Sequence, residues 1–152
     1  MSEIKSALIS AVISAVVGGL VAFGFQYFSE AATLKKTARL ETVLEYTKAE
    51  TPITPFATKY IAAITGNGDL KTAQTELRGK VADEMERAEK LKTLFARAEP
   101  QIEQYVNALS SFGDSIDNAT DPTKMRVWTE TFGHVVDSRM ALERTLLKEA
   151  GA

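Results

Sequence analysis

Apolar residues are concentrated in the first 30 positions of the chain. Between Lys5 and Glu30 lie 24 residues without a formal charge. As an α-helix rising about 1.5 Å per residue, this segment would be roughly 36 Å long, enough to cross the hydrocarbon core of a bilayer with some tilt. Tyr27 and Phe28 stand at its end, where aromatic rings favour the headgroup region. We therefore predict a transmembrane helix over residues 6–29.

Two other structures compete with this prediction. A cleaved signal peptide would end at the small-x-small triplet of Ser29, Glu30 and Ala31, before Ala32. The apolar region is about 20 residues long, however, whereas that of a signal peptide is about 7 to 15. A buried core helix of the same length would need a larger core than the rest of the chain can build around it. The transmembrane helix fits the segment better than either alternative.

Small residues recur every four positions within this segment. They form two adjacent rows, one of Ser10, Ser14, Gly18 and Ala22 and the other of Ala11, Ala15 and Gly19. Helices associate in lipid through such rows because their backbones can approach closely. We expect these seven residues to pack against another transmembrane helix. This other helix is expected to belong either to a second copy of the chain, which would give a homo-oligomer, or to another subunit of a membrane complex.

Positive charges beside the segment predict its orientation. Lys35, Lys36 and Arg39 follow it, whereas Lys5 and the terminal amine precede it. Because Lys and Arg are retained on the cytoplasmic side, we expect the C-terminal part to be cytoplasmic. The predicted location is the plasma membrane, which in bacteria is the inner membrane, in a single-pass arrangement with lipid as a partner.

Beyond the segment, apolar residues have helical spacing, and no stretch alternates as a strand does. Residues 30–50 are weakly amphipathic, through Leu34, Val43 and Leu44 among others. They predict a juxtamembrane helix that continues the span until Pro52 and Pro55 end it. The predicted organisation is therefore an N-terminus (1–5), a span (6–29), a juxtamembrane helix (30–50) and a helical domain (51–152).

Four apolar stripes in the helical domain step by three and four positions, each predicting one face of a helix. They comprise Phe56, Tyr60, Ile61 and Ile64; Leu77, Val81, Met85, Ala88, Leu91, Leu94, Phe95 and Ala98; Ile102, Tyr105, Val106, Leu109, Phe112 and Ile116; and Met125, Trp128, Phe132, Val135, Leu142 and Leu146. One-sided helices joined by short turns must bury their stripes against each other. The predicted fold class is all-α, an antiparallel bundle of three to four helices.

Cap residues predict the boundaries between these helices. They are Gly66 or Gly68 at the end of the first, Asp69 at the start of the second, and Asp121, Pro122 and Gly151 at the start and end of the last. Pro100 lies between the second and third stripes. Either a kink in one continuous helix or a hairpin between two helices is compatible with a proline at this position.

Charged pairs at i,i+4 lie opposite the second stripe. They are Glu76 with Lys80, Asp83 with Arg87 and Glu86 with Lys90. Each pair is worth about 0.2 to 0.5 kcal/mol on a solvated helix. This face therefore predicts exposure to solvent and no binding site.

Composition excludes several functions. The 18 basic and 20 acidic residues give a net charge of −2, which offers no basic surface for nucleic acid. The chain has no cysteine, so thiol nucleophiles, disulfides and thiolate metal sites are excluded. Its one histidine, His134, cannot form a histidine-only metal site, and we interpret it as a surface or half-buried residue. We predict no metal, no cofactor and no enzymatic activity.

Two aromatic pairs at i,i+4 are interpreted as core residues. They are Phe56 with Tyr60 and Trp128 with Phe132. The alternative for Trp128 and Phe132 is that they anchor a partner interface, where large aromatic side chains often dominate binding.

The sequence therefore predicts a non-enzymatic single-pass membrane protein that acts as an accessory or scaffolding subunit through helix packing. One alternative is a membrane-anchored signalling or effector module. The other places the bundle on the periplasmic side, as in a phage envelope-disrupting factor. Chemoreceptor-like bundles return to a second span, and this sequence predicts one span.

Overall fold

A computed structural model of the chain describes residues 33–47 and 53–151. The chain divides into two compact units, Met1–Ala38 and Arg39–Ala152. In the first unit, residues 33–38 are helical and exposed, and the Thr37 hydroxyl donates to the Thr33 carbonyl at 3.0 Å. The predicted span over 6–29 and its seven small packing residues lie outside the described residues. Within the two described ranges, no helix is both long and apolar enough to cross a bilayer.

The described residues of the second unit are helical and contain no β-strand. Its first helix, α1, spans residues 33–47, of which 39–47 belong to this unit. The others are α2 (Thr54–Ile64), α3 (Leu70–Leu91), α4 (Glu99–Asn118) and α5 (Met125–Ala150), with 3₁₀ turns at Ala96–Ala98 and Pro122–Lys124. The predicted all-α fold class is confirmed for this part of the chain.

The second unit is arranged as a four-helix bundle in which α1 and α2, one after the other, take the place of the first helix. Both run antiparallel to α3, α1 along its C-terminal half and α2 along its N-terminal half. The contacts that fix this order are Arg39 with Leu94, Tyr46 with Glu84 and Lys59 with Glu76. Two short helices in succession thus cover the face of one long helix.

The remaining helices follow one another in antiparallel hairpins. Between α3 and α4, Arg78 pairs with Asp117, and Lys92, which directly follows α3, pairs with Glu103. Between α4 and α5, Ser115 bonds to Thr131 and the ring of Phe112 contacts that of Phe132. Lys92 with Glu103 joins the end of α3 to the start of α4, whereas Arg78 with Asp117 joins the start of α3 to the end of α4, as expected of antiparallel neighbours. The predicted helical bundle is confirmed.

Local sequence explains the helix ends. Asp69 accepts hydrogen bonds from the backbone N–H groups of Lys71 and Thr72, and so caps α3 as predicted. Gly66 and Gly151 follow α2 and α5 with φ of 96° and 83°, a left-handed conformation that glycine adopts without steric cost. Asp121 caps the turn that leads into α5.

Two of the prolines in the described ranges, Pro55 and Pro100, lie at the beginnings of α-helices. They lie in the first turns of α2 and α4, where a residue without an N–H is tolerated because that group has no partner within the helix. Pro52, predicted together with Pro55 to end the preceding helix, lies outside the described residues. Helix α3 ends at Leu91, and Ala98 lies in the following turn. Pro100 therefore marks a hairpin.

Two predicted apolar faces each include one residue that the structure leaves exposed. In α1 the buried side chains are Val43 and Tyr46, whereas Leu44 is 41% exposed. In α2, Tyr60 and Ala63 are buried and Ile61 is 41% exposed. Each face follows the residues that step toward α3, and the neighbouring apolar residue is left at the edge.

The predicted i,i+4 ion pairs are mostly replaced by others. Glu86 and Lys90 do pair, with 2.6 Å between Nζ and Oε1. The other predicted ions have closer partners on a neighbouring helix or at i,i+3, namely Glu76 with Lys59, Lys80 with Asp83 and Arg87 with Glu84. The six residues of the predicted pairs are exposed or half-buried, and the buried Glu84 lies outside that set, on the core face of α3.

Candidate functional site

A buried carboxylate lies near the middle of the bundle. Glu84, on α3, has no solvent-exposed surface. Removing a carboxylate from water costs several kcal/mol unless charges and hydrogen bonds in the protein replace its hydration. Its surroundings therefore determine whether α3 can pack at all.

One oxygen of this carboxylate contacts each of three other helices. Glu84 Oε1 accepts from the Tyr46 hydroxyl of α1 at 3.0 Å and from the Tyr105 hydroxyl of α4 at 3.1 Å. It also accepts from Arg139 Nη1 of α5 at 3.1 Å. The second oxygen, Oε2, lies 3.4 Å from Nη1 of Arg87, one turn along α3. A single side chain thus ties four helices together.

Arg139 is held from several directions. It is 5% exposed, and its Nε donates to Glu143 Oε1 at 2.8 Å. Its Nη2 donates to the main-chain carbonyl of Tyr46 at 3.3 Å, and the guanidinium lies 5.0 Å from the centre of the Tyr46 ring. We call Tyr46, Glu84, Arg87, Tyr105, Arg139 and Glu143 the Glu84 network. Its two carboxylates and two guanidinium groups balance in formal charge.

Protonation in the network follows from burial. Burial, reinforced by the negative charge of Glu84, raises the pKa of Tyr46 and of Tyr105 well above the ordinary phenol value. Burial alone would lower the pKa of Arg139, but the hydrogen bond to Glu143 and the nearby acidic groups raise it. At neutral pH both phenols are therefore hydrogen-bond donors and Arg139 is charged. This arrangement can fix helices in register, and it supplies no free base.

The sequence carried a signal for this network that the apolar pattern alone does not show. The buried residues of α3 include Leu77, Val81, Glu84, Ala88 and Leu91, a regular alternation of four and three. Glu84 occupies a core position in that series, and Met85, the predicted core residue, is half-buried. A charged residue in register with an apolar stripe predicts a buried ion with a partner.

The aromatic residues proposed as core or interface form a cluster. Trp128 is 2% exposed and lies with its ring centre 5.3 Å from Phe112 and 5.4 Å from Phe132. Tyr60 stacks on Trp128 with ring centres 6.0 Å apart, and its hydroxyl donates to the carbonyls of Ile116 and Ala119. Trp128 thus occupies the core, and Phe132 is half-buried at its edge.

His134 is exposed and lines a groove of about 360 Å³ between α4 and α5. The other polar residues along it include Asn107, Ser111 and Asp137. The Ser138 hydroxyl donates to the main-chain carbonyl of His134 at 2.6 Å, so the imidazole does not activate it. No cluster of residues suited to binding a metal ion occurs within 33–47 and 53–151.

The predicted topology residues lie in different units. Lys35 and Lys36 are exposed in the first unit. Arg39 belongs to the second, where its Nε donates to the Leu94 carbonyl at 2.8 Å. The seven predicted packing residues lie outside the described part of the chain. No protein family, no curated protein and no solved structure matches this chain.

Proposed function

We propose that the protein is a non-enzymatic, single-pass membrane protein whose helical domain serves as an accessory or scaffolding subunit. The observation that carries the proposal is the uncharged segment of 24 residues between Lys5 and Glu30. The length of this segment matches the thickness of a bilayer core. The described bundle already has a filled core, so it does not need this segment as an additional core helix. The two rows of small residues support association with another span.

The absence of cysteine and the single histidine support a role without catalysis, because they leave no thiol nucleophile and only one imidazole. The Glu84 network supports a structural role for the bundle, since its phenols donate and its ions are paired. The excess of Lys35, Lys36 and Arg39 over Lys5 and the terminal amine supports a cytoplasmic bundle.

Cysteine crosslinking within the membrane tests the packing. Because the chain has no cysteine, Ser14→Cys or Gly18→Cys introduces a single reactive site. We expect a crosslinked dimer or a crosslink to another membrane protein. Val16→Cys and Leu20→Cys are matched controls, since on a helix they face away from the small-residue rows. Absence of any crosslink at Ser14 and Gly18, or equal crosslinking at all four positions, would contradict the packing proposal.

Reporter fusions at the C-terminus test the orientation. A fluorescent reporter that matures in the cytoplasm is expected to be active, and a phosphatase that folds only outside the cytoplasm is expected to be inactive. The opposite pattern would favour the periplasmic-facing alternative. Exchanging Lys35 and Lys36 for Gln should weaken the orientation preference, because the positive flank would be reduced.

A signalling module is the second candidate, and one observation favours it. Tyr46 in α1 bonds to Glu84 in α3, and its carbonyl accepts from Arg139 in α5. A shift of α1 would therefore displace charged groups in the core of the bundle. Thr37→Pro tests this, because a break there should abolish signalling and leave anchoring unchanged. If Thr37→Pro leaves every cellular response intact, the scaffolding role is preferred.

A further inference from the structure

The two short helices that cover α3 in succession are attached in different ways. Helix α2 is anchored among neutral groups. Its Tyr60 ring stacks on Trp128, and the Tyr60 hydroxyl donates to two main-chain carbonyls near the end of α4. Helix α1 instead lies over charged groups of the Glu84 network. The two helices therefore differ in what their removal would expose.

Helix α1 buries little apolar surface on the bundle. Of its residues 33–47, only Val43 and Tyr46 are buried, and Leu40 is half-buried against the core. Each of the other four described helices has more buried side chains than α1. An element with few buried apolar side chains opens at a lower free-energy cost than the core helices do. Helix α1 is therefore the element that the bundle can release most easily.

Tyr46 joins α1 to the network through its hydroxyl, its ring and its main chain. The hydroxyl donates to Glu84 Oε1 at 3.0 Å, and the main-chain carbonyl accepts from Arg139 Nη2 at 3.3 Å. The guanidinium carbons of Arg139 and Arg87 lie 5.0 and 5.6 Å from the centre of the Tyr46 ring, within the range of a cation–π contact. Tyr46 thus closes one side of the network.

The ion pair beneath Tyr46 does not depend on α1. Arg139 Nη1 lies 3.1 Å from Glu84 Oε1, and Arg139 Nε lies 2.8 Å from Glu143 Oε1. The Tyr105 hydroxyl of α4 also donates to Glu84 at 3.1 Å. Without α1, both ions would keep these partners, and the side that Tyr46 covers would be open to water. Release of α1 therefore avoids the main cost of breaking a buried ion pair, which is a buried charge without a partner.

We propose that α1 is a releasable strap over the Glu84–Arg139 pair. In the closed state, which is the one in this structure, Tyr46 holds the strap in place; in the open state α1 is released and α2 to α5 stay folded. Helix α1 begins at residue 33, ahead of the second unit, so the strap is the element that joins the preceding chain to the bundle. The proposal rests on contacts within the second unit and does not depend on the proposed membrane span.

Hydrogen exchange of the full chain in detergent, followed by mass spectrometry, tests the strap. We expect the backbone amides of residues 43–47 to exchange at least about tenfold faster than the slowest amides of α3 and α4, since a local opening exposes them before the bundle unfolds. Exchange of residues 43–47 at the same rate as those slowest amides would overturn the proposal, because α1 would then open only together with the whole bundle.

Two matched tyrosine variants test the role of Tyr46. Tyr46→Phe removes the hydroxyl that bonds to Glu84 in the closed state only, so residues 43–47 should exchange about tenfold faster. Tyr60→Phe removes the corresponding hydroxyl of α2, which is bonded in both the closed and the open state, so exchange of residues 43–47 should not change. Equal acceleration of residues 43–47 by both variants, or no acceleration by Tyr46→Phe, would overturn the proposal.

Thiol labelling gives an independent measurement, since the chain has no cysteine. Val43→Cys places a thiol on the buried face of α1, and Val81→Cys places one on the buried face of α3 that packs toward Gly113 of α4. A water-soluble maleimide should label Val43→Cys at least about tenfold faster than Val81→Cys, because only the first is reached by release of the strap. Circular dichroism verifies that each variant is folded. Equal labelling of the two thiols in folded variants would overturn the strap.

Discussion

A single side chain, Glu84, organises the centre of the bundle. It is the one acidic residue among the described positions that is completely buried, and its Oε1 bonds to groups on α1, α4 and α5. A buried pair of this kind is often no more stabilising than an apolar pair of equal volume, but losing one partner is severe. The buried ion pair instead determines which faces of the helices pack against each other.

Removing the carboxylate should therefore destabilise the bundle strongly. We expect Glu84→Ala to lower the free energy of unfolding by about 3 to 5 kcal/mol, because Arg139 would remain buried without its main partner. Thermal and denaturant unfolding of the full chain in detergent, followed by circular dichroism, measures this change.

The double variant Glu84→Leu/Arg139→Leu should regain most of the lost stability, since it removes both charges. Glu86→Ala is the matched control on the same helix. The Glu86 side chain is 69% exposed, so its loss should change stability by no more than about 0.5 kcal/mol. A small effect of Glu84→Ala would contradict the network as described.

The buried tyrosines predict alkaline instability. Burial raises the pKa of Tyr46 and Tyr105 in the folded state, so folding favours the neutral phenol. Their contribution is fully present below the unfolded phenol pKa of about 10 and is lost as the pH rises beyond it. We expect stability to fall above this pH, with phenolate absorbance rising in step with unfolding.

Single substitutions identify which tyrosines contribute to this absorbance change. Tyr46→Phe and Tyr105→Phe should each remove one phenol from the absorbance change at the unfolding transition. In denaturant, every tyrosine should titrate near the ordinary value. If the two phenols ionise in the folded protein before it unfolds, their burial against Glu84 is incorrect.

At the scale of the helices, the sequence predicts the capping residues more reliably than it predicts which face of each helix is buried. Asp69, Asp121 and Gly151 act locally, through bonds to adjacent backbone groups, and the sequence predicts them correctly. The hairpin at Pro100 depends on α3 ending at Leu91, which no local residue signals. The spacing of Leu77, Val81 and Glu84 indicates that Glu84 lies in the core register, but its hydrogen-bond donors come from three other helices and therefore could not be identified from the local sequence.

Glycine substitutions test the helix boundaries. Gly66→Ala places a side chain at φ 96° and should cost about 1 kcal/mol, although an added Cβ would meet no atom within 4 Å. Gly79→Ala, in the middle of α3 and equally free of contacts, should stabilise by about 0.5 to 1 kcal/mol. Unfolding curves of the two variants should shift in opposite directions. A shift in the same direction would mean that α2 does not end at this glycine.

At the scale of the whole molecule, the described bundle has its own buried core, which includes Leu77, Leu109 and Leu142. The uncharged segment over 6–29 is the part of the sequence that we propose to lie in lipid. The proposed scaffolding and signalling roles both use a bundle held at a bilayer surface.

Alkaline extraction of isolated membranes tests this tether most directly. Membranes from cells expressing the full chain are washed with alkaline carbonate, and the pellet and supernatant are examined by intact-mass spectrometry. We predict that the complete 16.6 kDa chain stays in the pellet. Release of the complete chain into the supernatant, or a mature product that begins at Ala32, would contradict the account.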